Sequence, residues 1–256
     1  MKVSVNIITC NRLSLLRRAV KSVLCQDYDD YEIVIVDSSG VGSVRKCIDE
    51  FDNPKIKVLD YLANKFELSL ARNLCLRESS GKYIAVLDDD DEWVCPSKMR
   101  WQVEYMDYYP DCVLTGTDIS IITLNGSDIS YRMYPHCDQE IRDSMLVENP
   151  FCHSATMFRR DMAMGRGGYK QVKGLWNINE YELWMKLGLL GKMANLPFCG
   201  VSRMVWPNNM TFRHRLILYK KDFGLAIEYR HEYPNFLKSA WRYCVSYPIK
   251  WSVSCG

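Results

Sequence analysis

Residues 83–91 read Tyr83-Ile84-Ala85-Val86-Leu87-Asp88-Asp89-Asp90-Asp91. The first five are apolar or aromatic, as expected for a strand that is buried on both faces of a parallel sheet. Four adjacent carboxylates follow this strand without a break. Ligands of open α/β sheets gather at the carboxyl ends of the strands. The junction therefore predicts a ligand site where the strand ends.

The preceding residues alternate between strand and helix patterns. Asp37 ends another apolar strand, just as Asp88 does. Strands that alternate with helices imply right-handed crossovers and a mostly parallel central sheet, which is an α/β fold. The predicted strands are Val3–Thr9, Glu32–Asp37, Ile56–Leu59 and Tyr83–Leu87, and the predicted helices are Ser14–Leu24, Val44–Phe51 and Ser69–Ser79.

The second half of the chain has a weaker pattern. Asn125-Gly126 between alternating apolar residues predicts a β-hairpin. Residues 201–256 are rich in aromatic and basic side chains and show little periodicity. The other predicted elements are helices Pro96–Tyr109, Gln139–Leu146 and Glu180–Leu187, and strands Val113–Thr123 and Ala155–Phe158.

Composition excludes several classes of protein. The 256 residues are 48% hydrophobic and 25% charged, which excludes a wholly disordered chain. A net charge of +2 is too small for nucleic-acid binding driven by overall charge, so no nucleic-acid partner is expected. The 11 cysteines form no C-x-x-C pair, which favours free thiols. With no signal peptide or membrane span visible, we expect a cytoplasmic protein with at most peripheral membrane contact. The basic stretch Arg203–Lys221 could make that contact, but a solvated surface is the favoured interpretation of it.

The four aspartates are the strongest chemical signal. Hard cations such as Mg²⁺ and Mn²⁺ prefer oxygen ligands and often bridge carboxylates to phosphates, whereas the alternative is a solvated acidic loop. Alternation along an extended chain would place Asp88 and Asp90 on one side, and Asp89 and Asp91 on the other.

Two further side chains carry possible ligand chemistry. Asp37 could accept hydrogen bonds from a nucleobase or a sugar, or it could simply cap a turn. Arg72 could bind phosphate oxygens in a bidentate manner, or it could lie on the surface of its helix.

Several of these segments together resemble the family 2 glycosyltransferases of the GT-A fold. The opening strand and loop Val3–Arg12, the helix segment Ala19–Gln26 and the strand Glu32–Gly40 are similar to the family's first elements. Ala71-Arg72-Asn73 and Gly81–Asp91 are similar to the stretch that ends in its acidic metal motif. The resemblance implies an inverting, metal-dependent enzyme that transfers a sugar from a nucleotide sugar, with residues 1–117 as the donor half, 118–200 as the acceptor half and 201–256 as an extension packed on the same unit.

The resemblance also implies roles for individual residues. Arg72 would approach the diphosphate, and Asp37 would contact the nucleobase, commonly uracil. Asp88 and Asp89 would flank the ribose and diphosphate, while Asp90, with Asp91, would hold Mn²⁺ or Mg²⁺. The nucleotide pocket would be lined by Thr9, Asn11 and Arg12.

The catalytic base is expected in Asn179-Glu180-Tyr181-Glu182-Leu183-Trp184, which resembles the family's E-D-x-D-L-W segment. Here Glu180 stands where the family has its Asp base, and Glu182 is a second candidate. The extra methylene of Glu moves the carboxylate by about a bond length, which matters for catalysis. His214 falls in a segment similar to one that supplies a metal ligand in relatives, and His153 could line the acceptor pocket.

Four other functions are considered against this one. A dehydrogenase would need G-x-G-x-x-G after the first strand, and the loop Thr9–Leu13 contains no glycine. A sugar nucleotidyltransferase would favour a glycine-rich, basic first loop, which is also absent. A carbohydrate- or cation-binding module, and a transferase that binds donor without turnover, remain alternatives. The favoured function is transfer of sugar from a UDP-sugar to a hydroxyl of a glycan or glycoconjugate.

Overall fold

The structure is a computed structural model. It describes residues 1–39, 42–61, 68–123, 127–171, 179–205 and 215–246. Within these ranges nine strands form one sheet, and helices flank it. The α/β fold expected from the sequence is confirmed.

The strands are β1 (Val3–Thr9), β2 (Tyr31–Asp37), β3 (Ile56–Asp60), β4 (Tyr83–Asp88), β5 (Glu92–Trp93), β6 (Cys112–Thr123), β7 (Asp128–Arg132), β8 (Met157–Arg159) and β9 (Lys192–Val205). The helices are α1 (Leu13–Leu24), α2 (Ser43–Asp49), α3 (Leu68–Glu78), α4 (Lys98–Tyr108), α5 (Asp138–Ser144), α6 (Arg160–Gly165), α7 (Asn179–Gly188), α8 (Arg215–Glu228) and α9 (Phe236–Trp241). A 3₁₀ turn at His153–Ala155 precedes β8, and a π-helical turn at Arg242–Ser246 follows α9.

The order of strands across the sheet is β3-β2-β1-β4-β8-β6-β9-β5, with β7 paired to β6. The first four are parallel to one another, because each is joined to the next by a helical crossover. Beyond β4 the sheet is mixed, since β8 is antiparallel to both β4 and β6 whereas β6 and β9 are parallel. All the predicted strand ends of the donor half therefore lie along one edge.

Alternation along the central strands divides the core into two layers. Ile33 and Ile35 on β2 belong to the layer built with α1 and α4, whereas Val34 and Val36 pack with Ala71 on α3. A third cluster fills the other half of the molecule around Trp184 of α7. Because both faces of β2 are buried along Ile33–Val36, this part of its sequence is apolar without a break, which is why the strand was predictable.

The elements through Tyr108 match the predictions to within two residues at each end, except β5 at Glu92–Trp93, which was not predicted. The strand predicted at Ala155–Phe158 begins later, since residues 153–155 form the 3₁₀ turn. The turn of the predicted hairpin lies outside the described residues, although its flanks, β6 and β7, are paired antiparallel. Strand β9 was not predicted and runs across residue 200, so the division proposed there falls within a strand and stays a prediction.

The described residues 215–246 pack against the third cluster. Leu225 of α8 and Tyr229, which follows α8, share this cluster with Trp184. The Tyr233 hydroxyl donates to the Met185 carbonyl at 2.7 Å, and the Ser239 hydroxyl donates to the Leu146 carbonyl at 2.7 Å. None of the helices in the described ranges combines the length and apolar character needed to cross a membrane. Each of the ten cysteines in those ranges is free.

Candidate functional site

The candidate site lies at the carboxyl edge of β1, β2 and β4. Strand register places Thr9 beside Asp37, and Ile8 beside Asp88. This neighbourhood follows from the parallel pairing, because equivalent ends of adjacent parallel strands meet at one edge. The loop after β1, the end of β2 and the acidic run are thereby brought together.

The loop after β1 contacts the acidic run through Arg12. This guanidinium pairs with both oxygens of Asp89, with Nε 3.0 Å from Oδ2, and its Nη1 lies 3.0 Å from Asp90 Oδ2. The Thr9 hydroxyl also donates to Asp89 Oδ2, at 2.6 Å. Asp89 is fully buried, and burial raises its pKa to about 7 even though Arg12 opposes that shift. Asn11 adopts a left-handed backbone (φ 56°) and accepts a hydrogen bond from Ser43.

The acidic run folds into a turn after Asp88. The Asp91 N–H donates to the Asp88 carbonyl at 3.1 Å. The expectation that Asp88 and Asp90 face one side, and Asp89 and Asp91 the other, is therefore wrong, because it assumed an extended chain. Instead, Asp89 and Asp90 both contact Arg12.

Asp91 is directed into the protein. Its side chain accepts hydrogen bonds from the Ser154 hydroxyl at 2.5 Å and from the Met204 N–H at 3.1 Å. Burial, with the nearby charges of Asp90 and Asp88, raises its pKa well above the ordinary value. Both carboxylate oxygens of Asp91 therefore hold the acidic turn against the 3₁₀ turn and β9. Of Asp90 and Asp91, the two predicted metal ligands among the described residues, Asp90 is the one whose side chain is partly exposed, at 20%.

Asp88 leads into a second, buried group of polar side chains. Its Oδ1 lies 3.0 Å from His153 Nδ1 and 3.9 Å from Arg72 Nη2. Arg72 in turn donates to Glu180 Oε2 at 2.6 Å. Burial would raise the pKa of Asp88, but His153 and Arg72 outweigh it and hold that pKa below its usual range. The structure thus joins Asp88 on β4 to Glu180 on α7.

The second candidate base has different surroundings. Glu182 is 2% exposed, and its Oε1 lies 3.0 Å from Lys186 Nζ and 3.5 Å from Lys170 Nζ. It therefore belongs to a lysine cluster and not to the group around Arg72.

Asp37 retains an unused acceptor. The residue is fully buried, and its Oδ1 accepts the Ser39 N–H at 2.8 Å. Its Oδ2 is also buried and has no hydrogen-bond partner among the described residues. Buried polar atoms without partners are rare in folded proteins, and such an atom at a strand end is suited to a ligand that brings a donor.

The described residues contain no ready-made metal site, since no three of their His, Cys, Asp or Glu side chains are grouped closely enough to hold an ion. Burial and the neighbouring Asp88 charge raise the pKa of Asp90, so a cation at this turn would relieve the repulsion. Oxygen donors from one or two carboxylates suit Mg²⁺ or Mn²⁺ when phosphates complete the shell. His214 lies outside the described residues.

The sequence analysis missed Arg203 as a contributor, and it did not predict the contact that His153 makes. Arg203 of β9 was grouped with a basic surface stretch. Burial would lower its pKa, but nearby groups that include Cys152, Asp91 and Asp88 outweigh this and raise it. His153, expected in the acceptor pocket, contacts Asp88 directly. The available signal for Arg203 was its position as a basic residue in a segment that also contains the apolar residues Val201 and Met204.

Comparison with known proteins gives a consistent result. The family model described as "Glycosyl transferase family 2" matches residues 4–166. The chain is 27% identical over 236 residues to the O-antigen biosynthesis glycosyltransferase WbnJ of Escherichia coli, covering 88% of this chain and 89% of that protein.

Solved structures share the fold at low sequence identity. S. aureus TarS 1–349 in complex with UDP-GlcNAc has a TM-score of 0.67 and 16% identity, over 82% of this chain and 60% of that one. The mannosyltransferase PcManGT from Pyrobaculum calidifontis, in complex with GDP-Man and Mn²⁺, has a TM-score of 0.70 and 15% identity, over 96% of this chain and 71% of that one. The alignment with the UDP-GlcNAc complex thus covers less than two thirds of that chain.

Proposed function

Because the chain belongs to glycosyl transferase family 2 and is a glycosyltransferase, we propose that it transfers a sugar from a UDP-sugar to an acceptor hydroxyl with inversion. The observation that carries this proposal is the meeting, at one sheet edge, of the unused Asp37 acceptor, the Arg12-bound acidic turn and the Glu180 carboxylate. Family membership argues against a nucleotidyltransferase and a binding module.

The donor is assigned from the chemistry of the edge. Asp37 Oδ2, which has no partner among the described residues, would accept an N–H of a uracil ring. Arg12, whose side chain is 41% exposed, is accessible to an anionic donor. TarS was solved with UDP-GlcNAc and PcManGT with GDP-Man, so a nucleotide sugar is the expected class and guanine is the competing base.

Asp90 would hold Mn²⁺ or Mg²⁺ against the diphosphate. When bound, the cation would offset the negative charge that develops on the departing nucleoside diphosphate. Arg12 would donate to the diphosphate at the same turn, since its partly exposed guanidinium lies beside Asp89 and Asp90.

Glu180 is proposed as the general base. It would accept the proton of the acceptor hydroxyl as that oxygen forms a bond to the anomeric carbon. The bond from this carbon to the phosphate oxygen breaks in the same displacement, which inverts the configuration. Glu182 is disfavoured because two lysines surround its carboxylate.

The acceptor is proposed to be a glycan or glycoconjugate. WbnJ is named for O-antigen biosynthesis, which supports a polysaccharide-type acceptor here. Cytoplasmic location, peripheral membrane contact and the absence of a nucleic-acid partner stay predictions.

Calorimetric titration tests the donor site. UDP, UDP-sugars, GDP and GDP-mannose would each be titrated with Mn²⁺ and with EDTA. We expect Mn²⁺-dependent binding of the uridine compounds that is lost in Asp90→Ala and kept in Asp161→Ala, whose carboxylate is 95% exposed. Tighter binding of GDP compounds would overturn the UDP assignment, and no nucleotide binding at all would overturn the donor site.

Two isosteric variants test the base. Glu180→Gln is expected to lower turnover by about 10²- to 10⁴-fold, the usual contribution of a general base. Glu182→Gln should leave most of the turnover intact. The opposite ranking of these variants would move the base to Glu182.

A further inference from the structure

Arg72 is enclosed by the protein on every described side. Its side chain is 6% exposed, compared with 41% for Arg12. Its contacts with described residues include the 2.6 Å hydrogen bond to Glu180, a distance of 3.4 Å to His153 Nδ1 and one of 3.9 Å to Asp88. A side chain that binds the donor diphosphate must be accessible to it, and Arg12 meets this requirement better than Arg72 does.

The partners of Arg72 are themselves fixed. The guanidinium carbon lies 5.4 Å from the centre of the Tyr169 ring. Asn73, the next residue of α3, holds Tyr169 in place: its amide donates to the Tyr169 carbonyl at 2.8 Å and accepts the Tyr169 N–H at 2.9 Å. The sequence Ala71-Arg72-Asn73 therefore supplies both the cation and the clamp for the aromatic ring beside it.

A glycine turn makes this clamp possible. Gly168 has a left-handed backbone (φ +65°), and a Cβ there would lie 2.4 Å from Asn73 Oδ1. Only a residue without a Cβ lets Asn73 approach the Tyr169 backbone so closely. The turn, the clamp and the ion pair thus form one rigid arrangement around Glu180.

We propose that Arg72 positions the Glu180 carboxylate for proton transfer and does not bind the donor diphosphate. This inference rests on the proposed function, in which Glu180 is the base. Glu has one more rotatable bond than Asp, so its carboxylate needs an additional restraint to stay within the narrow range of productive positions. The buried Arg72 supplies that restraint from α3, and it counts as a positioning residue.

The test measures donor affinity and turnover separately in Arg72→Gln and Arg72→Lys. For Arg72→Gln we expect kcat to fall at least about 30-fold while the Kd for a UDP-sugar with Mn²⁺ changes less than about threefold. Arg12→Lys is the matched control, because its exposed side chain should weaken donor binding instead. A tenfold or larger loss of donor affinity in Arg72→Gln, with kcat retained, would overturn the proposal.

Rescue by Arg72→Lys adds a readout that a merely structural role would not give. Arg72→Lys keeps a positive charge beside Glu180 and should recover part of the kcat that Arg72→Gln loses, with the Kd for the UDP-sugar unchanged. A kcat as low as that of Arg72→Gln, together with weaker donor binding, would contradict the positioning role.

Glu180→Gln keeps the test decisive if the Arg72 variants do not fold. If Arg72 positions Glu180 and does not contact the donor, removing the Glu180 charge leaves the Kd for UDP with Mn²⁺ within about twofold of wild type. If Arg72 belongs to the donor site, its release should tighten UDP binding by about fivefold or more, which would overturn the proposal. Failure of the proposed function looks different, since the wild-type protein would then show neither nucleotide binding nor transfer.

Discussion

Asp37 and Asp60 occupy paired positions at the ends of two adjacent parallel strands, yet their surroundings differ completely. Asp37 is fully buried with one oxygen lacking a partner among the described residues, whereas the Asp60 side chain is 49% exposed and pairs with Arg45 at 3.0 Å. The same residue type at the same register position therefore serves two purposes. Asp60 forms a surface ion pair, whereas Asp37 keeps a buried oxygen that we propose accepts a hydrogen bond from the donor.

Asp37→Asn is expected to weaken UDP binding by about 10- to 100-fold, because a hydrogen bond to a charged acceptor contributes about 1.5–3 kcal/mol. Calorimetry with UDP and Mn²⁺ measures the effect, with the melting temperature as a check on folding. Asp60→Asn is the matched control and should bind as the wild type does. Equal losses of UDP affinity in both variants would mean that Asp37 acts only through its negative charge and does not contact the nucleobase.

Much of the donor half was predictable because its signals are local. The strands β2 and β4 are nearly continuous apolar runs that end at aspartate, and both features are visible within seven residues. The placement of Asp37 and Asp88 at one edge then follows from parallel pairing alone.

The geometry of the site depends on contacts between distant parts of the chain. The turn at Asp88–Asp91 is fixed by Ser154 and by the Met204 N–H, which lies 113 residues from Asp91, so strand alternation could not foresee it. Burial of Arg72 depends on Glu180, 108 residues away. Strand β9 escaped prediction because Pro197 and Gly200 interrupt its pattern, and its pairing with β6 shifts register at that point.

His153 links the acidic turn to the buried ion pair, since its Nδ1 lies 3.0 Å from Asp88. His153→Phe keeps a ring that packs beside Trp184 and Tyr169 but removes the polar contact. We expect kcat to fall about 10-fold or more, because Asp88 loses a charge-assisted partner and can shift. Steady-state kinetics measures this loss, and the exposed His231→Phe serves as the control. Unchanged kinetics in His153→Phe would limit His153 to a packing role.

The two glycines before Tyr169 make a matched pair. Both have left-handed backbones, but a Cβ at Gly167 meets nothing within 4 Å, whereas one at Gly168 meets Asn73 at 2.4 Å. Gly167→Ala should cost about 1 kcal/mol of unfolding free energy from strain alone. Gly168→Ala should cost about 1–3 kcal/mol more, since the hydrogen bonds of Asn73 to Tyr169 are displaced. Denaturant titration compares them, and equal losses would contradict the close approach seen here.

Lys98 gives a prediction about stability and pH that is independent of catalysis. The side chain is fully buried, donates to Gln102 Oε1 at 2.8 Å and lies 4.0 Å from the Trp93 ring centre. Burial lowers its pKa from 10.5 to about 7. Between these values the unfolded chain holds a proton that the folded chain has released. The unfolding free energy should therefore rise with pH across this window.

Lys98→Met removes this contribution and should stabilise the fold most at low pH. We expect a gain of about 1–4 kcal/mol at pH 6 that shrinks by pH 9, since a well-packed apolar side chain replaces a buried cation. Urea unfolding at several pH values measures the difference in unfolding free energy between wild type and Lys98→Met. The contributions of the other titrating groups cancel in this difference. Lys192→Met, whose side chain is 67% exposed, should show no such trend. A constant difference between wild type and Lys98→Met from pH 6 to 9 would mean that Lys98 keeps its charge inside the fold.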